Sequence, residues 1–401
     1  MRIAVLANTT WYLFNFRLNL MHTLMAAGHE VVAVGPMDGY VDRIQNAGIR
    51  HVTIPLSGRS INPLSELATV YSLYRVFRRE KIEAVLSYTP KGNIYGAFAA
   101  MPIGIPTIAN ISGLGKVFVR RGLLTVLVKG LYWLAFRRTV WVFFQNREDM
   151  ELFAHLSLVP ASKIERIPGS GVDVRRFSPF EVDELSDIQV NNCRTQDAQS
   201  VQPFRKSIYA GDQPFVFLLI ARMLWDKGIG EYVKAARRVL SLYPSVRLQL
   251  LGFLDVDNPS AIPRERIDAW VNEGVVEYLG STDDVVPVIR DADCVVLPSY
   301  YREGVPRTLL ESASMAKPLI TTDTPGCRDA VEDGVTGFLC KAKNVEDLAE
   351  KMIQMIELPK EDRHVMGLRA REKMLREFNE RIVIERYLDV VSRISKRFYG
   401  K

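Results

Sequence analysis

The feature that most limits the fold of this chain is an alternation. Short apolar, β-branched runs are separated by longer stretches with helical periodicity. Ile3–Ala7, Val31–Val34, Ala84–Leu86, Thr107–Asn110 and Val140–Gln145 are too uniformly apolar for a sheet with one wet face. They read as parallel strands covered on both sides. Phe16–Ala27 and Pro63–Glu80 supply helices between them. A second series begins at Phe215–Ile220 and continues with Val246–Gly252, Val276–Leu279, Cys294–Pro298 and Pro318–Thr322. The pattern leaves one fold class, α/β, as two Rossmann-like, doubly wound domains in succession. The length of 401 residues suits two such cores. The expected division is 1–177, a polar excursion at 178–212, then 213–378. A last helix at 379–401, with Asn379 as its cap, is expected to pack back on the first domain.

Composition removes several function classes. The cysteines Cys193, Cys294, Cys327 and Cys340 show neither disulfide-like pairing nor metal spacing, and the five histidines are scattered. A reduced setting, no metal and no cofactor are therefore expected. MRIAVLA leads straight into a strand, without the pattern of a signal peptide. The most apolar stretch, Leu123–Phe144, is interrupted by Lys129, Arg137 and Arg138, so no spanning helix is expected.

Charge is unevenly spread. The net charge is +6, but residues 1–177 hold 21 Lys and Arg against 11 Asp and Glu, a balance of +10, leaving −4 for the rest. No carboxylate occurs between Glu83 and Glu148, where eight bases fall. Such a block points to a polyanionic partner. Nucleic acid is disfavoured, because no recognition motif accompanies the charge. The first strand–helix turn, Ala7 to Tyr12, lacks Gly-x-Gly-x-x-Gly, so dinucleotide binding of the usual kind is unsupported there.

The second series carries the chemistry. After Phe215–Ile220 come Arg222, Lys227 and Gly228, two cations at the carboxyl end of a parallel strand, where they converge on a diphosphate. After Cys294–Pro298 comes YREGVPRTLLES. There Gly304 is expected to let backbone approach a ligand, and Pro306 to occupy the first helical position. The amides of Arg307, Thr308 and Leu309 then form an anion site at a helix start. A carboxylate beside phosphate needs a neutral partner, so Glu311 suits a ribose diol and Glu303 the far end of the ligand. Gly280 to Asp284, with Ser281 and Thr282, is placed to read a base edge, with Asp284 as a helix cap. Thr322 to Arg328 lines the same cleft, and Glu332 to Phe338 reads as a tight structural turn.

With these residues in hand, the order Arg222…Lys227-Gly228, Glu303-Gly304-Val305-Pro306…Glu311, Thr324-Pro325-Gly326-Cys327 and Asp333-Gly334-Val335-Thr336-Gly337-Phe338 resembles the retaining family 4 glycosyltransferases of GT-B fold. The first half is similar to a bacterial subgroup acting in surface-polysaccharide and lipid-linked oligosaccharide assembly, including N-acetylgalactosaminyltransferases that act on undecaprenyl-diphosphate-linked sugar. The features that carry this are Tyr88 to Gly96, Asn110 to Gly115, Phe143 to Asn146 and Ile167 to Asp173.

The resemblance implies two domains facing an interdomain cleft. It also implies a nucleotide-sugar donor, most often a UDP-sugar, held mainly by the second domain. Arg222 and Lys227 would neutralise its diphosphate, Glu311 would bind ribose and Glu303 the transferred sugar, with Val305 in the same loop. Glu303, Arg222 and Lys227 would carry catalysis, with retention and without metal. The acceptor side would draw on Tyr88, Lys91, Asn110, Gly113, Gly115, Lys116, Arg120 and Arg121. A basic, apolar helix at Leu123–Phe136 suits an anionic membrane surface, and a polyprenyl-diphosphate-linked sugar has the matching tail and charge. The expected location is cytoplasmic, peripheral on the inner face of the membrane. The alternative is a same-fold transferase with a soluble acceptor.

Overall fold

The computed structural model describes residues 1–56, 62–114, 122–180, 214–254 and 258–400. The chain divides into two compact units. The first takes in Met1–Gly171, Tyr301–Arg307 and Glu377–Lys401, and the second Val172–Tyr300 and Thr308–Arg376.

The first unit runs β1 (Arg2–Leu6), α1 (Thr10–Ala26), β2 (Glu30–Gly35), α2 (Val41–Asn46), β3 (Arg50–Thr53), α3 (Pro63–Arg79) and β4 (Ala84–Tyr88). It continues through α4 (Pro90–Ala100), β5 (Thr107–Ile111), α5 (Leu123–Phe136), β6 (Trp141–Phe144), α6 (Arg147–His155) and β7 (Ile164–Arg166). The seven strands are parallel in the order β3-β2-β1-β4-β5-β6-β7. Strand periodicity sorts the core: Ile3 and Val5 of β1 join one apolar cluster, Ala4 and Leu6 the opposite one. The first cluster also holds Val383, Tyr387, Val390 and Ile394 of the last helix (Glu380–Tyr399).

Local chemistry sets the helix starts. α1 begins at Thr10 rather than near Phe16, because Thr9 is extended and its hydroxyl accepts the Tyr12 amide at 3.1 Å. Asn62 and Asn379 cap their helices through the amides of Leu64 and Arg381.

The second unit runs β8 (Val216–Ile220), α7 (Ile229–Leu242), β9 (Arg247–Leu251), α8 (Arg264–Asn272), β10 (Glu277–Tyr278), α9 (Val286–Asp291) and β11 (Cys294–Leu297). It continues through α10 (Arg307–Ser314), β12 (Leu319–Thr322), α11 (Cys327–Ala330), β13 (Gly337–Cys340), α12 (Val345–Glu357) and α13 (Lys360–Glu377); α14 (Glu380–Tyr399) closes the chain in the first unit. The order is β10-β9-β8-β11-β12-β13, again parallel. Gly337 and Phe338, expected within a turn, open the edge strand β13, because Gly337 to Cys340 pair with Leu319 to Thr322. Edge strands β3 and β7 were not expected either, since they are short and carry polar residues.

Candidate active site

In the second sheet the connections leave in opposite directions from β8 and β11, which lie side by side. Ligands of doubly wound sheets bind at the carboxyl end of such a switch. Three loops are knotted together there. After β8, Trp225–Lys227 make one 3₁₀ turn that ends at Gly228, whose φ is +77°. A Cβ on Gly228 would lie 2.0 Å from the Pro298 carbonyl oxygen, so both backbone shape and contact demand glycine. The Asp226 carbonyl accepts the Ser299 hydroxyl at 3.2 Å and the Tyr300 amide at 3.1 Å. The Ser299 carbonyl accepts the hydroxyls of Thr322 and Thr324, which ties in the loop after β12. The loop after β9 also belongs to this edge, because the Met223 amide donates to the Phe253 carbonyl at 2.9 Å. On this frame Arg222 is exposed and Lys227 half-buried.

α10 is deeply enclosed, with Leu309 to Ser314 all buried. Its far end is held by the Ser314 hydroxyl donating to the Phe177 carbonyl at 2.6 Å and by Arg371 donating to the Ser314 carbonyl. Glu311, the fifth helical residue, is only 9% exposed. Thr308 is half-buried in the first turn and Leu309 is buried. The helix begins at Arg307, so Pro306 stands just before the first helical position rather than in it. Ser281 and Thr282 lie on an exposed loop after the edge strand β10, where Thr282 serves the loop itself by accepting the Asp284 amide. Asp284 accepts the Val286 amide at 3.2 Å, at the start of α9.

The Tyr301–Arg307 segment departs from the expected division, which gave all of 213–378 to one domain. It belongs to the first unit. The Gly304 amide donates to the Ser112 carbonyl at 3.2 Å, and Asn146 Nδ2 donates to the Glu303 carbonyl at 3.0 Å. Arg302 Nε meets Asp149 Oδ1 at 2.6 Å, and the Asp149 side chain is 1% exposed. Burial pushes the Asp149 carboxyl upward, and the Arg302 guanidinium opposes that shift. Contrary to the expectation from sequence, the space at Gly304 is taken up within the protein: a Cβ there would strike Gln145 Oε1 at 2.2 Å. Val305 and Pro306 are buried, Glu303 is half-buried, and the Arg307 guanidinium lies 4.9 Å from the Phe16 ring centre.

The acceptor residues need correction. Tyr88 and Asn110 are fully buried, so neither side chain is available to a ligand. Asn110 Nδ2 donates to the Tyr387 hydroxyl at 2.9 Å, and its Oδ1 accepts Gln145 Nε2 at 3.1 Å. The Tyr88 ring stacks under the guanidinium of buried Arg17 at 4.2 Å, and burial pushes its phenol pKa well up. Both are internal struts. Lys91 spends its charge on Glu66 at 2.8 Å. Gly113, with φ +106°, abuts the backbone of Arg302 to Gly304, where a Cβ would come within 2.7 Å of the Gly304 nitrogen. Gly115, Lys116, Arg120 and Arg121 lie outside the described residues.

Asn146, Asp149 and Arg302 are the residues that sequence reasoning did not place. Asn146 followed three residues later by Asp149 is a legible cap, and Asn146 Oδ1 does accept the Asp149 amide at 2.8 Å. Their partner is more than 150 positions away, and nothing local announces it. Among the described residues, no three His, Cys, Asp or Glu side chains gather as metal ligands would.

Residues 16–169 match the family described as glycosyl transferase 4-like domain, and residues 201–373 match glycosyl transferases group 1. Along 99% of this chain and 100% of the relative, 28% of residues are identical to the Campylobacter jejuni N,N'-diacetylbacillosaminyl-diphospho-undecaprenol alpha-1,3-N-acetylgalactosaminyltransferase. An Escherichia coli UDP-Gal:alpha-D-GlcNAc-diphosphoundecaprenol alpha-1,3-galactosyltransferase is 23% identical over 89% of this chain and 87% of its own length. Among solved structures, Anabaena HepE in complex with UDP superposes with a TM-score of 0.73 at 16% identity, covering 98% of this chain and 100% of that one. Sucrose-phosphate synthase from Thermosynechococcus elongatus gives 0.73 at 16%, covering 98% and 99%. Two parallel α/β units and two family matches spanning most of the chain define its class. The chain belongs to the glycosyltransferases and has the GT-B fold, with the 4-like domain in its first half and the group 1 domain in its second.

Proposed function

We propose that this enzyme is a retaining transferase that moves a hexose or N-acetylhexosamine from a UDP-sugar to a polyprenyl-diphosphate-linked sugar in bacterial glycan assembly. The observation that carries this reading is the end-to-end likeness to the Campylobacter jejuni enzyme, whose name specifies a diphospho-undecaprenol-linked acceptor. The binding of UDP by Anabaena HepE supports the choice of donor.

In this reading Arg222 and Lys227 take the donor diphosphate, and the first amides of α10 hold its oxygens. As the bond from the anomeric carbon to the phosphate oxygen breaks, charge grows on the departing UDP, and fixed cations and amides stabilise it. The acceptor oxygen bonds to the anomeric carbon on the same face, and its proton passes to the leaving phosphate oxygen. Products are UDP and an acceptor longer by one sugar. Glu311 holds the ribose hydroxyls and Glu303 the transferred sugar. Asn146 and the Asp149–Arg302 pair are positioning residues for the Glu303 loop.

The enzyme works at the inner face of the membrane. Among the described residues no helix is long and apolar enough to cross a bilayer. α5 nevertheless exposes Val126 (68%), Leu127 (59%), Trp133 (47%) and Leu134 (43%) along one stripe that ends at Arg137 and Arg138.

A soluble acceptor is the second reading, favoured by the equal likeness to sucrose-phosphate synthase. The test supplies UDP-sugars with either an undecaprenyl-diphosphate-linked sugar or the free sugar, and reads UDP release and product mass. Transfer to the lipid-linked acceptor alone is expected. Equal transfer to the free sugar would establish the second reading, and no transfer from any UDP-sugar would remove the donor assignment.

A further inference from the structure

The chemistry above occupies the carboxyl ends of the strands. At the amino ends of β5, β6 and β7, in the first unit, lies a cavity of about 540 Å³. Its walls are the residues that lead into these three strands, and its cover is the last turns of α14. Five cations line it: Arg137, Arg138, Lys163, Arg393 and Arg397. No acidic side chain does.

Lys163 is partly spent, since its Nζ donates to the carbonyls of Arg137 (3.2 Å) and Thr139 (2.9 Å) just past the end of α5. Its pKa is lowered by burial and by the charge of Arg397, as expected where cations crowd without counter-ions. The four arginines make no ion pair among the described residues. Arg137, Arg393 and Arg397 instead lie over the rings of Trp133, Trp141 and Phe398, at 4.8, 5.7 and 5.5 Å. Guanidinium groups held in this way present their planar donors to a phosphate.

A second cavity of about 420 Å³ adjoins the first at Arg137. It is lined by Trp133, Leu158, Val159 and Pro160 together with Arg137 and Ser157, so apolar and polar groups share its wall. A chamber lined by five cations, next to one walled in part by Trp133, Leu158 and Val159 and near the exposed apolar stripe of α5, matches an amphiphile better than a free anion. We infer that this pair of cavities binds the phosphate headgroup of an anionic phospholipid, with the headgroup among the arginines and the glycerol-ester portion beside Trp133. The inference deepens the membrane part of the proposed function. It rests on that part for the source of the lipid and on the cavity for the binding.

The test uses the full chain and water-soluble dihexanoylphosphatidylglycerol, followed by intrinsic tryptophan fluorescence and thermal shift. Dihexanoylphosphatidylcholine and inorganic phosphate serve as comparisons. Saturable binding of the glycerol lipid is expected, and at least about tenfold weaker binding in Arg393→Gln/Arg397→Gln; that ratio corresponds to about 1.4 kcal/mol. The double variant folds, because it relieves repulsion against Lys163, and its transfer to a short-chain acceptor stays at the wild-type level. Arg393→Lys/Arg397→Lys recovers part of the binding.

Equal binding by wild type and the Gln variant would overturn the proposal. So would equal binding of phosphatidylcholine, or an effect of inorganic phosphate that matches the lipid. Val126→Ser/Leu127→Ser, on the stripe but outside both cavities, separates the two ideas by co-sedimentation with phosphatidylglycerol vesicles. Loss of vesicle binding in this variant, with the soluble lipid still bound, supports the stripe as the docking face. Failure of wild type to bind vesicles while it binds the soluble lipid would sink membrane docking and leave the cavity assignment standing.

Discussion

Single residues at the carboxyl edge of the second sheet show how little freedom the site has. Gly228 meets Pro298, and Gly252, with φ +145°, would place a Cβ 1.8 Å from the Ala221 carbonyl oxygen. Gly228→Ala is expected to cost at least about 2 kcal/mol, read as a lowered urea midpoint, because a left-handed backbone and a clash add. Lys227→Ala and Glu311→Ala should each lower kcat/KM by roughly 10²- to 10³-fold while leaving the far-ultraviolet circular dichroism unchanged. Near-normal turnover in both would remove them from the site. Glu80 offers a test of electrostatics. It is 5% exposed and accepts Arg50 Nε at 2.9 Å, and hydrogen bonds from Arg50, aided by Arg79, hold its pKa below the ordinary carboxylate value. A depressed pKa means that the folded state prefers the ionised form. The stabilisation is therefore complete above the unfolded value of about 4.3 and fades as pH falls through the lower folded value. The melting-temperature gap between wild type and Glu80→Gln should be level from neutral pH down to about 5 and narrow below about 4.3. A gap that widens in acid would contradict the assigned pair.

At the scale of elements, α5 and the Tyr301–Arg307 segment matter most. An amphipathic helix in water turns its apolar stripe inward, and α5 does so with Tyr132, Ala135 and Phe136, yet it leaves a second apolar stripe outside. Trp133→Ser/Leu134→Ser is expected to reduce sedimentation with anionic vesicles at least about fivefold, in line with the loss of buried apolar area. The segment that carries Glu303 is held in part by the Arg302–Asp149 ion pair and by the hydrogen bonds of the Gly304 amide and the Glu303 carbonyl. Asp149→Asn keeps the shape of the pair but removes its charge. It should lower kcat by roughly 10- to 100-fold while UDP still raises the melting temperature, since misplacement of a reacting group by about 1 Å costs that much. A parallel loss of UDP stabilisation would show a general fold defect instead of a positioning role.

For the whole molecule, donor choice is the property to measure. A matched nucleotide-sugar at about 100 times its Kd stabilises the folded state by about 2.7 kcal/mol, so a thermal-shift screen of UDP-, GDP- and TDP-sugars ranks donors directly. The UDP-sugars are expected to give the largest shifts, and a larger shift with GDP-sugars would replace the base assigned here. The amino-acid sequence by itself determined the α/β class and the two sheets, because unbroken β-branched runs and helical periodicity are local properties of the chain. It also singled out Arg222, Lys227 and Gly228, and Glu303 with Glu311, since strand ends and helix starts are legible within a few residues. Only the tertiary structure decided that Tyr88 and Asn110 are buried struts, that Gly304 and Gly113 are glycines to let two backbones meet, and that Asp149 holds Arg302. It also decided that four arginines from positions 137 to 397 enclose one cavity. Burial and pairing depend on partners far away in the chain, and no local pattern encodes them.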